Sequence, residues 1–204
     1  MQITKVEVQK NNKDKCNLYI DDEFNTGLHL DVCIKYGLKA GREISEEELQ
    51  EIIFESDKIL ALSKTTAYIN TALKTEKQIR DYIYKKGYSK EVCSFVIAKL
   101  KEYNYINDEN YAKAYIETYC KKFGEMKLKN NLIQKGIDKE IIENLLNDIE
   151  TDEEILYNMA TKYMKNKENI YENHVKLMRF LAGRGFSFED INKVVEKIKK
   201  DELC

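Results

Sequence analysis

The stretch Lys85-Lys86-Gly87-Tyr88-Ser89-Lys90-Glu91-Val92 decides the fold, because its basic–Gly–apolar centre recurs at a fixed spacing along the chain. The two further copies are Lys135-Gly136-Ile137 and Arg184-Gly185-Phe186, and a spacing of 49 residues separates each glycine from the next. Self-similarity at a period of roughly 20–50 residues is typical of repeat proteins, whose units stack to bury their apolar faces. The chain is therefore predicted to be a repeat array.

The residues that flank these glycines repeat with them. Six positions are apolar in every copy: Ile79/Leu128/Leu177, Ile83/Leu132/Leu181, Cys93/Ile142/Ile191, Val96/Leu145/Val194, Ile97/Leu146/Val195 and Leu100/Ile149/Ile198. One repeated glycine could occur by chance, but six apolar positions that repeat with it are hard to explain in that way. We therefore predict that these side chains form the cores of three successive units, at residues 57–103, 104–150 and 151–204.

Each unit is predicted to contain three helices. These helices span 57–73, 76–86 and 90–102 in the first unit, 108–122, 125–135 and 139–149 in the second, and 152–165, 174–184 and 188–200 in the third. Acceptable N-cap residues precede the middle helices, namely Thr75, Gly124 and Asn173, and further N-cap residues precede the third helices, namely Ser89, Asp138 and Ser187. Each middle helix ends at the repeated glycine, which suits the left-handed backbone of a helix C-terminus.

The N-terminal residues follow a different period. Residues 3–9 alternate apolar and polar side chains, residues 11–14 indicate a turn, and residues 16–20 are again β-prone, so the segment is predicted to be a hairpin. Because a lone hairpin is marginally stable, residues 24–30 should complete it, or it should pack on residues 32–38.

A helix over 46–55 is expected to follow the hairpin, since Ser45 and Glu48 form a capping-box pattern. Ser56-Asp57 can then cap the first helix of the first repeat. Residues 1–56 are thus predicted to be an N-terminal β-containing module with a helix.

The predicted fold class is mainly α, with three tandem three-helix repeats that form an extended curved array behind a small N-terminal β-hairpin-containing module. Composition agrees, because the chain has no proline, only 8 glycines and 43% apolar residues. Such a composition favours uninterrupted helices and is sufficient for a core. No stretch approaches the roughly 18 apolar residues of a membrane span, and the N-terminus lacks a signal-peptide core, so we expect a cytoplasmic protein.

Charge is distributed unevenly, although the net charge is only −2. Residues 1–57 contain 7 Lys and Arg against 13 Asp and Glu, whereas residues 58–204 contain 27 against 23. A weakly basic array behind an acidic N-terminal module permits contact with nucleic acid but does not require it.

Catalytic and metal-binding patterns are not found in the sequence. The five cysteines are scattered without a CxxC pair and the chain has only two histidines, so neither a metal site nor a cofactor is expected. An odd number of unclustered cysteines also suits a reducing compartment. The sequence has no Gly-rich phosphate loop, and we expect a protein that is not an enzyme.

Three basic residues stand at the same position of the repeat: Lys86, Lys135 and Arg184, called here the C-cap row. A cation just before a helix C-terminus is favoured by the helix dipole, so the row has two interpretations. It is either a set of structural caps or a ladder that contacts a partner.

Other basic and aromatic residues extend the list of candidates for contact with a partner protein or with DNA. Arg80 and Lys129 share a second register, which Met178 interrupts. The remaining candidates are Lys77, Tyr84 and Arg179. Tyrosines are dense between residues 82 and 119, and their spacing at 111, 115 and 119 favours helix packing over base stacking.

The segment 85–92, followed by Leu100-Lys101-Glu102-Tyr103-Asn104-Tyr105-Ile106-Asn107-Asp108-Glu109-Asn110-Tyr111-Ala112, resembles the RecX family of bacterial recombinase regulators. That family carries an RKGY/F segment and then a GY[IL]DDxRFA segment. Here asparagines replace the glycine, the first aspartate and the basic residue of the second segment, at positions 104, 107 and 110. The resemblance covers residues 57 to about 200, and residues 3–9 look like the N-terminal extension of Gram-positive members.

The resemblance implies a non-enzymatic modulator of RecA that acts in homologous recombination, DNA repair and the SOS response. Family members bind the RecA–DNA filament along its groove and suppress strand exchange, ATP hydrolysis and coprotease activity. The implied partner of this chain is therefore the RecA filament, bound by a monomer. The alternative is a helical-repeat nucleic-acid-binding protein that acts without RecA, whose binding to free DNA would depend steeply on salt.

Overall fold

The protein is described by a computed structural model that covers residues 1–147, 152–168 and 170–201. These residues contain three strands: β1 Ile3–Gln9, β2 Asn12–Ile20 and β3 Glu23–His29. They also contain ten helices: α1 Leu30–Lys35, α2 Glu46–Ile69, α3 Glu76–Lys85, α4 Lys90–Glu102, α5 Asp108–Tyr119, α6 Glu125–Gln134, α7 Lys139–Leu146, α8 Glu153–Met164, α9 Tyr171–Gly183 and α10 Phe188–Asp201. The mainly α class with a small N-terminal sheet is confirmed.

The N-terminal sheet is antiparallel, with strand order β1-β2-β3. The hairpin turn is shorter than predicted, because Gln9 already pairs with Asn12. Strand β3 completes the hairpin, as predicted for residues 24–30. Alternate residues of β2 point into the core and are buried: Cys16, Leu18 and Ile20.

Helix α1 covers this sheet and brings the side chain of Cys33 against that of Cys16, both buried in the same core. The scattered cysteine spacing does not predict this pair, because only the packing of α1 on β2 brings the two residues together.

Helix α2 is one continuous helix of 24 residues. The prediction of two helices, over 46–55 and 57–73, is wrong. Ser56 does not act as an N-cap, because it is fully buried within α2 and its hydroxyl accepts a hydrogen bond from the backbone N–H of His29 at 2.7 Å. Ser56 thus satisfies a backbone group at the end of β3.

The two halves of α2 face different cores. Leu49 and Ile52, in the first half, pack against the N-terminal sheet. Ala61, in the second half, packs with α3 and α4 in the first three-helix core. The helix therefore belongs both to the N-terminal module and to the first repeat.

The three basic–Gly–apolar segments adopt the same helix C-terminus. Gly87, Gly136 and Gly185 have φ values of 85°, 86° and 86°, a left-handed conformation that glycine adopts without strain. The N–H of the apolar residue after each glycine bonds back to a carbonyl of the last helical turn, as from Ile137 to Leu132 at 3.1 Å. Each segment is thus a Schellman motif, which explains why the repeat requires both the glycine and the apolar residue.

The repeat register also predicts the cores. Of its eighteen side chains, those in the described residues are buried, apart from Leu145, which is half-buried. Ile149 lies outside the described residues. Thr75, Ser89, Gly124 and Asp138 are N-caps as predicted. In α9, however, Ile170 takes the place of the predicted Asn173 and makes no side-chain cap bond.

The chain divides into two compact units, called here the N-terminal half (Met1–Ile106) and the C-terminal half (Asn107–Cys204). The N-terminal half combines the sheet with the first three-helix unit, because α2 contributes to both cores. The C-terminal half contains the second and third three-helix units. The finer division at residues 56, 103 and 150 stays a prediction.

Candidate interaction surface

The C-cap row occupies equivalent positions, since Lys86, Lys135 and Arg184 are the C-cap residues of α3, α6 and α9. Each cation lies over an aromatic ring. Lys86 Nζ is 5.4 Å from the centre of the Tyr82 ring, and Arg184 Cζ is 4.5 Å from that of Phe180. These distances lie within the range of cation–π interactions, so each cation of the row is held against a ring near its helix end.

The same rings join the first helix of a unit to its middle helix. In the first unit, Tyr68 of α2 stacks on Tyr82 of α3, with ring centres 4.2 Å apart and planes 3° from parallel. In the third unit, Tyr163 of α8 stacks on Phe180 of α9 at 4.5 Å. A second cation covers the other ring of each pair: Lys74 over Tyr68 and Lys167 over Tyr163.

The second unit reaches a similar arrangement by another route. Lys135 Nζ lies 5.3 Å from the ring of Tyr115 and 5.7 Å from that of Tyr111, both on α5. Asn131 of α6 donates a hydrogen bond to the Tyr115 hydroxyl at 3.0 Å. The tyrosines of α5 therefore pack between helices, as their spacing predicts.

Lys77, Arg80 and Tyr84 lie along α3, but they differ in exposure. Lys77 is exposed and Tyr84 is 43% exposed. Arg80 is half-buried, pairs with Glu76 at 2.6 Å and also approaches Cys93 Sγ at 3.8 Å. Arg80 is thus held within the first unit rather than extended toward solvent.

Glu76 is the centre of this network, because it pairs with Lys101 at 2.6 Å as well as with Arg80. Burial alone raises the pKa of Glu76, but the hydrogen bonds and charges of Lys101 and Arg80 outweigh burial and lower its pKa overall. A carboxylate with a lowered pKa stabilises the fold above its unfolded pKa, and this stabilisation is lost as pH falls through the folded pKa.

Glu76→Gln should therefore lower the free energy of unfolding at neutral pH by up to about 1 kcal/mol. The deficit should disappear in acid, where the wild-type carboxylate is protonated as well. Urea unfolding of both proteins at neutral and acidic pH measures this difference. A deficit of equal size at both pH values would show that the charge of Glu76 is not responsible.

The other candidate residues lie in the C-terminal half. Lys129 of α6 pairs with Glu143 of α7 at 3.1 Å. Arg179 is exposed on α9. Arg184 is half-buried, and its guanidinium donates a hydrogen bond to the carbonyl of Lys122 at 3.4 Å. Arg184 of the third unit therefore takes part, through this hydrogen bond, in the contact with the second unit.

That contact is made by the backbone. Gly124 N–H donates to the carbonyl of Arg184 at 3.0 Å, and Met126 N–H donates to that of Gly185 at 3.2 Å. The N-terminus of α6 thus supplies otherwise unpaired donors to the segment that ends α9. A Cβ at Gly124 would come within 2.5 Å of the Gly185 carbonyl carbon, so the contact requires glycine. The sequence predicts Gly124 only as an N-cap and does not reveal this contact, which depends on residues about 60 positions away.

Two other kinds of site are absent from the described ranges. Within them, no group of three or more His, Cys, Asp or Glu side chains is arranged to hold a metal ion. Within the same ranges, no helix has the length and apolar character needed to cross a membrane.

Models of one protein family match the chain in three places. The N-terminal domain of regulatory protein RecX matches residues 1–45, the second three-helix domain of RecX matches residues 107–146, and the third matches residues 150–195. The second and third matches correspond to the two three-helix units of the C-terminal half.

Relatives and solved structures agree with these matches. Regulatory protein RecX of Clostridium tetani is 37% identical, over 97% of this chain and 94% of the relative. That of Clostridium beijerinckii is 35% identical, over 97% and 95%. A crystal structure of regulatory protein RecX has a TM-score of 0.69 at 23% identity and covers 96% of this chain and 98% of its own, a likeness of fold. RecX from Lactobacillus salivarius gives a TM-score of 0.63 at 26% identity, over 69% and 96%. From its N-terminal sheet to its last three-helix unit, the chain belongs to the RecX family of regulatory proteins.

Proposed function

We propose that this protein regulates homologous recombination and DNA repair by binding the RecA–DNA filament and inhibiting RecA. The observation that carries this proposal is the relationship to RecX regulatory proteins over nearly the full length of the chain. The similarity covers 97% of this chain and therefore all of its structural units. The regulatory role is thus proposed for the whole chain.

The repeated architecture supports binding to a filament. Each three-helix unit presents a cation over an aromatic ring at the same helix end. A filament offers successive identical protomers, and repeated units can contact them in turn. Contacts that are individually weak then reinforce one another through effective concentration.

Regulation is proposed to occur through binding alone. The protein would act without a cofactor, as a monomer, in the cytoplasm where the filament forms. The candidate contacts are the C-cap row and the exposed side chains Lys77, Tyr84 and Arg179, while Arg80 and Lys129 contribute through their ion pairs.

Cosedimentation with filaments tests the proposal. RecA assembled on single-stranded DNA with a non-hydrolysable nucleotide should carry the protein into the pellet, whereas the same DNA without RecA should carry much less. Equal pelleting with bare DNA would instead favour the nucleic-acid-binding protein that acts without RecA.

A further inference from the structure

Two adjacent concavities of the C-terminal half share Lys162, a residue of the third three-helix unit. The first has a volume of about 330 Å³ and is rimmed by Lys162, Lys165 and Lys167, which are all exposed. Its floor includes Met164 and Ile198, each only 5% exposed. The concavity therefore combines a cationic rim with an apolar base.

The second concavity repeats this combination. It has a volume of about 360 Å³, and Lys121 and Lys162 are its exposed cations. Its apolar surface comes from Ile155 and Met159, which are half-buried. Together the two concavities form what we call the lysine-rimmed groove, and all its residues belong to the C-terminal half.

Among the described residues, no acidic side chain neutralises the charge of the groove. Within the described part of the chain, neither concavity is lined by a carboxylate, and the lysines at 121, 162, 165 and 167 form no ion pair. Other lysines of the same unit differ, since Lys193 pairs with Glu189 at 2.8 Å and Lys199 with Glu196 at 2.7 Å. A cluster of cations in a concavity raises the local concentration of anionic groups and so favours an anionic ligand.

We propose that the lysine-rimmed groove binds an acidic peptide segment with apolar side chains, supplied by a partner protein. Apolar side chains would occupy the floor, and carboxylates would meet the lysine amines at the rim. An apolar centre within a polar rim is the usual anatomy of a protein interface. Such a groove would bind any segment that combines carboxylates with apolar side chains, so this binding does not depend on regulation of RecA.

Nucleic acid fits the groove less well. The aromatic rings beside it have covered faces: Lys197 lies 4.5 Å from the centre of the Tyr157 ring, and Tyr163 lies between Lys167 and Phe180. Each of these rings thus has at least one covered face, which reduces the aromatic surface on which bases could stack. Phosphates would meet the lysines but would leave the apolar floor unused.

Fluorescence anisotropy with three labelled probes tests the proposal on the full chain. The probes are a peptide that alternates Glu with Leu, a peptide that alternates Glu with Ser, and single-stranded oligothymidine. The test variant is Lys162→Glu/Lys165→Glu, and the matched control is Lys193→Glu/Lys199→Glu in the same unit. Circular dichroism checks folding, and Lys162→Gln/Lys165→Gln replaces the test variant if charge reversal prevents folding.

The Glu–Leu peptide should bind the wild-type chain, bind the control equally well, and bind the test variant about tenfold more weakly. The Glu–Ser peptide should bind more weakly than the Glu–Leu peptide to the wild type. Equal loss in both variants, equal binding of the two peptides, or no peptide binding would overturn the proposal. Oligothymidine that binds through the same lysines, and that the Glu–Leu peptide fails to displace, would overturn it in favour of nucleic acid.

Discussion

Gly124→Ala should destabilise the C-terminal half by about 1–3 kcal/mol, the usual range for a group forced into a packed site. Gly124 has an ordinary φ of −74°, so the new methyl group strains no backbone dihedral. It would instead lie within 2.5 Å of the Gly185 carbonyl carbon and of the Phe186 amide nitrogen. Both are backbone atoms, which cannot move aside as a flexible side chain can. Urea unfolding followed by circular dichroism measures the loss.

Gly183→Ala is the matched control in the same half. Gly183 ends α9, and a methyl group there meets nothing within 4 Å. Alanine also favours helix over glycine, so this variant should be as stable as the wild type or slightly more stable. If Gly124→Ala were as stable as Gly183→Ala, the close backbone contact between the second and third units would be contradicted.

Charge reversal of the C-cap row should weaken filament binding by about tenfold, since unlike charges at a rim steer association and like charges oppose it. The informative variant is Lys86→Glu/Lys135→Glu, with one change in each of two units. Arg184 is left intact, because its hydrogen bond to the Lys122 carbonyl makes it part of the unit contact. Cosedimentation at two salt concentrations should show both the weaker binding and a smaller salt dependence.

The control for this variant is Lys99→Glu/Lys113→Glu, which changes one lysine in each of the same two units. These lysines already pair with Glu102 and Glu109, at 2.8 and 2.7 Å. The control should bind filaments like the wild type. If a folded Lys86→Glu/Lys135→Glu protein bound with wild-type affinity, the C-cap row would be purely structural and the interface would lie elsewhere.

Local sequence signals predict much of this fold. The 49-residue register places buried side chains correctly because every unit repeats the same Schellman motif, and a Schellman motif depends on a few neighbouring residues. Ser45, Thr75 and Ser89 are N-caps in the structure as the sequence predicts, since capping is also local.

Features that depend on distant residues are not predicted in the same way. Serine is a residue type that often caps helices, but packing of α2 against β3 buries Ser56. Its hydroxyl then accepts a hydrogen bond from the backbone N–H of His29. Gly124 and Gly185 meet only when two units stack. The two rings beside Lys135 belong to the neighbouring helix α5. The sequence shows the row of cations, but it does not show which rings the fold brings beside them.

DNA-dependent ATP hydrolysis by RecA tests the central claim most directly. The wild-type protein is added at a substoichiometric ratio to RecA on single-stranded DNA. It should lower the steady-state rate of hydrolysis strongly, because one bound chain would contact several protomers. Lys86→Glu/Lys135→Glu should lower the rate much less. A rate that stays unchanged, even when the protein equals RecA in concentration and remains folded, would contradict the proposal that this chain regulates the RecA filament.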